Sequence, residues 1–233
     1  MTKAYKFDPH THTSETSGCS SLSAVRLVEG YHAAGFGGIA ITDHLHRYFS
    51  SRHDDWDTCV TNFLRGYKAA KAHGDKLGLD VILGAEMRFD TGGYSDYLVY
   101  GLDEGFLRQN PYLYKLGLRK LFKRYGDELL IIQAHPYREN DSVDINHVHG
   151  VEVYNGNPRH NNRNRKTRKL CGAHPNLYPT SASDAHETED IGSGWMEFDQ
   201  PIVDSRRFKE LVMRREYVLG RRHETKYAKQ PRF

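Results

Sequence analysis

Tyr5-Lys6-Phe7-Asp8-Pro9-His10-Thr11-His12 is the stretch on which the fold of this chain turns. A short strand-like run ends in two histidines separated by one residue. On an extended backbone, residues two apart point to the same face, so His10 and His12 can grip one ion. Four more blocks follow the same plan. Asp43-His44 trails the apolar run 38–42, Glu86 trails 81–83, His135 trails 129–132, and Asp184-Ala185-His186 trails 177–183. Asp184 and His186 repeat the two-residue spacing. Imidazole and carboxylate together, with no cysteine pair, suit zinc, manganese or iron better than a structural thiolate site.

Outward from these blocks, strand and helix patterns alternate to about residue 215. Ala24, Leu27, Val28 and Tyr31 sit at helical spacing, with Ser23 as N-cap and Gly35 as stop. Val60, Phe63, Leu64 and Tyr67 repeat the pattern, with Asp57 or Thr58 as cap and Gly74 beyond the end. Further helices are expected over 113–122, 144–149 and 162–171 and around Phe208, Leu211 and Val212. Strands are expected at 38–42, 79–85, 97–101, 129–134, 151–154 and 178–182. Such alternation predicts a parallel sheet, open or closed. The ligand blocks trail strands along the whole chain and must meet in one place. A closed barrel gathers its strand C-termini around one mouth, so an α/β barrel is the expected fold.

The 233 residues fit one α/β domain, read as a single barrel over 1–220 with a polar, flexible tail at 221–233. Thirty-three basic and thirty acidic residues give a net charge of only +3, too mild to announce a nucleic-acid binder. Cys19, Cys59 and Cys171 are too few and too scattered for a disulfide framework, which points to a reducing compartment. With no apolar signal core at the start and no membrane-length run, a cytoplasmic protein is expected. Nine of the fourteen histidines lie outside the blocks and read as surface or capping residues, with His46 a candidate for the pocket.

Taken in order, Asp8-Pro9-His10-Thr11-His12-Thr13, Thr42-Asp43-His44, Gly84-Ala85-Glu86, Ala134-His135-Pro136, Val153-Tyr154-Asn155-Gly156 and Ser183-Asp184-Ala185-His186 resemble the successive motifs of the PHP (polymerase and histidinol phosphatase) superfamily. The resemblance implies a distorted (β/α)7 TIM-like barrel with two or three divalent metal ions, zinc, manganese or iron, at its mouth, usually hydrolysing phosphate esters. By this resemblance His10, His12, Glu86 and Asp184 hold one ion. Glu86, His135 and either Asn155 or Glu152 hold a second. His44 and His186 hold a third, with Asp43 as ligand or as orienter. Glu86, Asp184 and His186 are the residues expected to carry catalysis. The chain departs from the family at Ser14-Glu15-Thr16-Ser17-Gly18-Cys19, where many members carry a further His or Asp. Cys19, Glu15 or a water could take that place.

The chemistry justifies these residue types independently. Cations neutralise phosphoryl oxygens, lower the pKa of a bridging water and stabilise the leaving oxygen. Arginine is the side chain best shaped for phosphate, and Arg138, Arg159 and Arg88 are the expected substrate contacts, with Arg47 a fourth candidate. The expected partner is a small phosphorylated metabolite or nucleotide, with no membrane and no stable nucleic-acid partner. A phosphomonoesterase is favoured. The alternatives are a phosphodiesterase, an amide or lactone hydrolase on the same site, and a non-catalytic metal-binding module.

Overall fold

The computed structural model describes residues 4–91, 93–139 and 142–222. Strand β1 (Tyr5–Thr11) leads through α1 (Ala24–Ala33) to β2 (Gly38–Ile41), then to the two-residue strand β3 (His44–Leu45). Two helices follow, α2 (Arg47–Ser50) and the long α3 (Trp56–Leu77), before β4 (Asp80–Arg88) and β5 (Asp96–Tyr100). Helices α4 (Glu104–Gln109) and α5 (Leu118–Tyr125) precede β6 (Leu130–Gln133) and β7 (Gly150–Asn155). The chain ends with α6 (Asn164–Ala173), β8 (Tyr178–Ala182), β9 (Gly194–Phe198), α7 (Ser205–Arg214) and β10 (Val218–Arg221).

These strands form one sheet in the order β10, β9, β1, β2, β4, β5, β6, β7, β8, with β3 added on β4. The sheet curls until it nearly closes. Beyond β8, the Asp184 N–H donates to His10 O at 3.0 Å and the His12 N–H to Ala185 O at 3.1 Å, seaming the last segment to the end of β1. This is the distorted TIM-like barrel that the ligand blocks required.

It is not wholly parallel, as simple alternation predicted. Strand β5 runs antiparallel to both β4 and β6, and β9 runs antiparallel to β1 and β10. The physical reason is the short connection between Arg88 and Asp96, which holds no helix and can only turn the chain back. Three helices also differ from expectation. The segment 144–149 is a turn, and 113–122 is broken by Gly117 at φ +78° into a 3-10 turn and α5. Helix α3 starts one residue after its cap Asp55 and runs past Gly74 to Gly78, whose left-handed φ of +72° ends it. The last strand reaches Arg221, and the Arg222 N–H donates to Ser193 O, so the barrel extends beyond 220. Residues 223–233 of the expected tail lie outside the described residues.

Period-two patterning divides the sheet into two faces. Val81, Leu83, Ala85 and Met87 of β4 look outward to the helices, while Ile82, Gly84 and Glu86 look inward. The lower interior is apolar, with Phe7, Leu98, Tyr100, Ile132 and Met196 closed from below by Phe208 of α7. Phe208 packs at 5.2 Å from Phe7 and 4.8 Å from Tyr100 between ring centroids. A bulge between Asp8 and Thr11 shifts the phase of β1. It lets Phe7 join the apolar floor while His10, three residues later, joins the polar mouth.

Candidate metal centre

Four donor atoms converge at the top of the barrel. His10 Nε2 and His12 Nε2 lie 3.1 Å apart, and each is 3.4 Å from Asp184 Oδ1. Glu86 Oε2 lies 3.6 Å from the first and 3.3 Å from the second. On either side, His135 Nε2 is 2.9 Å from Glu86 Oε1, and His44 Nδ1 is 3.0 Å from Glu86 Oε2. Glu86 thus faces all four imidazoles, the place a bridging carboxylate would occupy. Among the described residues, groups with ligand atoms close enough to share an ion include His10 with His12 and Glu86, Glu86 with Asp96 and His135, and His12 with His44 and His186.

The orientation of the rings supports the same reading. His10 Nδ1 is 2.9 Å from Glu152 Oε1, so it donates its proton to that carboxylate and leaves the lone pair on Nε2. His12 Nδ1 lies 3.4 Å from Ser17 Oγ, whose own proton goes to Asp43 Oδ1 at 2.6 Å. His186 Nδ1 donates to the Asp184 carbonyl at 2.9 Å. In each case one nitrogen is anchored and the other is left basic, the tautomer that metal ligation requires.

Charge gives an independent test of fit. Asp43, Glu86, Asp96, Glu152 and Asp184 are all buried within this cluster. The arginines that pair with them are Arg138, to Asp184 Oδ2 at 2.7 Å, and Arg88, to Asp96. Burying carboxylates without cations is costly, so the imidazoles take up the charge. Burial pushes the Glu86 carboxyl up, but His10 and His44 outweigh it and hold it well below the usual range. Burial likewise opposes ionisation of Asp184, and His10 and Arg138 reverse the effect. Conversely, burial opposes a proton on His10, while Asp184, Glu152 and Glu86 raise it well above its ordinary value. Divalent cations would replace those protons, and the donor set fits them.

The expected site residues differ in how they are held. Asp43 accepts from the Thr13 N–H at 2.8 Å, Thr13 Oγ1 at 2.6 Å and Ser17 Oγ, which makes it the anchor of the His12 loop. Helix α3 presses on this anchor, and only glycine fits at 66, since a methyl group there would collide with Thr13 Oγ1. Asn155 spends its amide on Glu152 Oε2 and Asp184 Oδ2, at 2.8 and 3.2 Å, and its carbonyl oxygen on Arg138. Arg138 and Arg88 line a cavity of about 190 Å³ above the donors. Arg159 does not line it, because its guanidinium grips the buried Asp190 at 3.0 and 2.5 Å. Arg47 pairs with Asp90. His46 caps α2 by accepting the Phe49 N–H, and its ring stacks 5.6 Å from His44.

Sequence reasoning missed Asp96 and His160, and it left Glu152 as an alternative to Asn155. Glu152 accepts from His10 and from the His135 N–H at 2.8 Å. Asp96 shares the inner face of β5 with Leu98 and Tyr100, a period-two signal that speaks only once the inner face is known. His160 lines the cavity, and burial and Arg138 hold its pKa below the ordinary value. Of the two substitutes considered for the missing His or Asp, Glu15 instead caps α1 by accepting the Ala24 N–H. Cys19 stands at the site, with Sγ 3.3 Å from His44 Nε2. Burial pushes its thiol up, but hydrogen bonds with His186 and His44 bring it down to about 5. Two candidate ligands carry backbone strain, His135 at φ +27° and Asp184 at φ +57°. Asp184 is therefore not on an extended strand with His186, and the turn after β8, not the two-residue period, brings the two together. A larger cleft of about 1220 Å³ lies between α3 and α7, lined by none of these ligands.

Comparison with known proteins places this geometry. The chain matches the PHP domain family over residues 8–170 and the PHP-associated family over 161–214. No curated protein matches it. A two-domain Bacteroides vulgatus protein containing a predicted PHP-like metal-dependent phosphoesterase superposes with a TM-score of 0.66 at 17% identity, over 94% of this chain and 65% of that one. The chain thus spans just under two thirds of that protein's length. A Chromobacterium violaceum amidohydrolase, with sulfate bound and no metal, gives 0.56 at 15% identity, over 91% and 97% of the two chains. A Bifidobacterium adolescentis candidate metal-dependent phosphoesterase gives 0.54 at 15%, over 89% and 96%. These structural likenesses establish the fold, and among the described residues no helix is long and apolar enough to cross a membrane. With the family matched over most of its length, from Asp8 through the strand that carries Glu152, the chain belongs to the PHP domain family.

Proposed function

We propose that this chain is a metal-dependent hydrolase of phosphate esters, acting on a small phosphomonoester such as a phosphorylated metabolite or nucleotide. The observation that carries the reading is the convergence of His10, His12, Glu86 and Asp184 at the floor of a cavity flanked by Arg88 and Arg138. His10, His12, Glu86 and Asp184 would hold one ion, Glu86, His135 and Asp96 a second, and His44 and His186 a third. Such ions supply positive charge to phosphoryl oxygens and make water a stronger nucleophile. The residues of the chain do the rest. Arg138 fixes Asp184 through Oδ2, which leaves Oδ1 turned toward His10 Nε2 and His12 Nε2 as a donor. Arg88 and Arg138 give the cavity a positive rim for the ester's non-reacting oxygens.

The cavity of about 190 Å³ suits a small substrate group, which favours a monoester over a long diester. The Chromobacterium violaceum protein carries a bound sulfate. That protein is also described as an amidohydrolase, which makes amide or lactone hydrolysis the second reading. Elemental analysis of the purified protein, with phosphomonoester, phosphodiester, amide and lactone panels run on the same sample, tests both. Two or more ions per chain with chelator-sensitive monoester turnover is the expected result. Turnover confined to diesters or to amides would replace the monoester assignment, and bound metal with no turnover would leave a non-catalytic metal-binding module.

A further inference from the structure

The outermost donor group differs in chemistry from the two inner ones. His12, His44 and His186 have ligand atoms within 4.8 Å of one another, a grouping that stands without any cysteine. Cys19 Sγ lies 3.3 Å from His44 Nε2, and the thiol also interacts with the His186 ring. Both imidazoles are already oriented by their other nitrogen. His44 Nδ1 is 3.0 Å from Glu86 Oε2, and His186 Nδ1 donates to the Asp184 carbonyl. Their Nε2 atoms are therefore the ones left for a ligand beside the sulfur. Nothing else in the 14–19 segment competes for this role, because Glu15 is committed to α1 and Ser17 to Asp43.

We infer that Cys19, His44 and His186 form a sulfur-containing metal position that selects a thiophilic cation such as zinc, while the inner positions remain pure nitrogen and oxygen sites. This rests on the metal centre proposed above. The physical basis is ligand softness: thiolate strongly favours zinc over manganese or magnesium, whereas imidazole and carboxylate discriminate far less. On binding, the Cys19 S–H proton passes to solvent as the sulfur–metal bond forms, with no change of oxidation state. Three protein ligands leave a coordination position open at the rim of the cavity, as in catalytic zinc sites. The chain would then carry unlike metals in one centre, and thiol reagents would strip the outer one alone.

Cobalt(II) in place of the native ions reports sulfur ligation directly, through an intense sulfur-to-cobalt charge-transfer band in the near ultraviolet. The full-length protein is stripped with a chelator and titrated with cobalt to saturation, with bound cobalt counted by elemental analysis. The expected result is that the band appears in the wild type and in Cys171→Ser, and is absent from Cys19→Ser. Cys19→Ser should bind one ion fewer per chain, or hold its outermost ion at least about 10–100-fold more weakly, the loss that removing even a supporting partner causes. Cys19→His should restore the count without the band. Saturating cobalt with no sulfur band in the wild type, or a band that survives in Cys19→Ser, would overturn this inference and leave the inner centre standing. Failure to bind any cobalt would remove both.

Discussion

The two ends of the barrel interior are equally hidden from solvent and opposite in chemistry. Phe7 and Phe208 at the floor and His10 and Glu86 at the mouth are all 2% exposed or less. At the floor, burial is itself the stabilising force, since apolar area leaves water and aromatic rings interlock. At the mouth, burial opposes stability, because five carboxylates sit together with few fixed cations. The floor therefore holds the fold whether or not ions are present. The mouth is held together by the walls around it, and cations would take the place of the protons that its imidazoles hold. The difference shows how this protein keeps a site that its own stability does not favour: the two demands are met by different residues of the same strands.

Breaking the mouth should cost function and not fold. Glu86→Gln removes the carboxylate that faces four imidazoles, and turnover should fall by about 10²–10³-fold or more. Metal content should fall with it, while the chelated variant unfolds at or above the denaturant midpoint of chelated wild type. A variant that kept full activity would remove Glu86 from the centre. Breaking the floor should do the reverse. Phe208→Ala is expected to lose about 3–5 kcal/mol of unfolding free energy by denaturant titration. Its surviving folded fraction should still bind the wild-type number of ions.

Acid should separate the two ends without any mutation. His10 and His44 are held well above their ordinary pKa, and His186 is raised too, each by nearby acidic groups against the effect of burial. Metal binding needs the neutral rings, and a raised pKa keeps them protonated to higher pH. Metal affinity should therefore climb as pH rises past 6.5, with protons released on binding that calorimetry in buffers of different ionisation enthalpy can count. Affinity independent of pH from 6 to 8 would contradict the assigned protonation. The smallest effect expected is at the ion pair of Arg159 with Asp190. Arg159→Ala leaves buried Asp190 without its guanidinium, although the His186 and Glu187 N–H groups still donate to it. A loss of about 1–3 kcal/mol is expected, together with a lower kcat from a loosened His186, while KM holds. A higher KM with unchanged stability would return Arg159 to the role of substrate contact.

Much of the centre was legible from residue type and order. Five blocks of imidazole and carboxylate, each at the end of an apolar run, required strands whose ends meet. Strand 178–182 is found as expected, and the core positions of α1 match their spacing. Other features had weaker local signals. Strand β9 alternates faithfully at Trp195, Met196, Glu197 and Phe198, a pattern that could have been read and was missed. Helix 113–122 had the right apolar residues, and a single glycine conformation divided it.

The sequence by itself determined the family of donors, the αβ alternation and the need for closure, because these depend on side-chain chemistry and on periods of 2 and 3.6 along the chain. Only the tertiary structure decided which donors face one another. Asp43 and Asn155 bear ligand-type side chains, yet their oxygens are taken up by Thr13, Ser17, Arg138 and Asn157. Arg159 stands near the mouth in sequence and is claimed by Asp190, 31 residues away. Cys19 is one candidate beside Glu15 and a water until β3 and the turn after β8 bring His44 and His186 to it. A donor's role is set by which partner reaches it first, and those partners come from strands far apart in the chain, so the closing of the sheet assigns them.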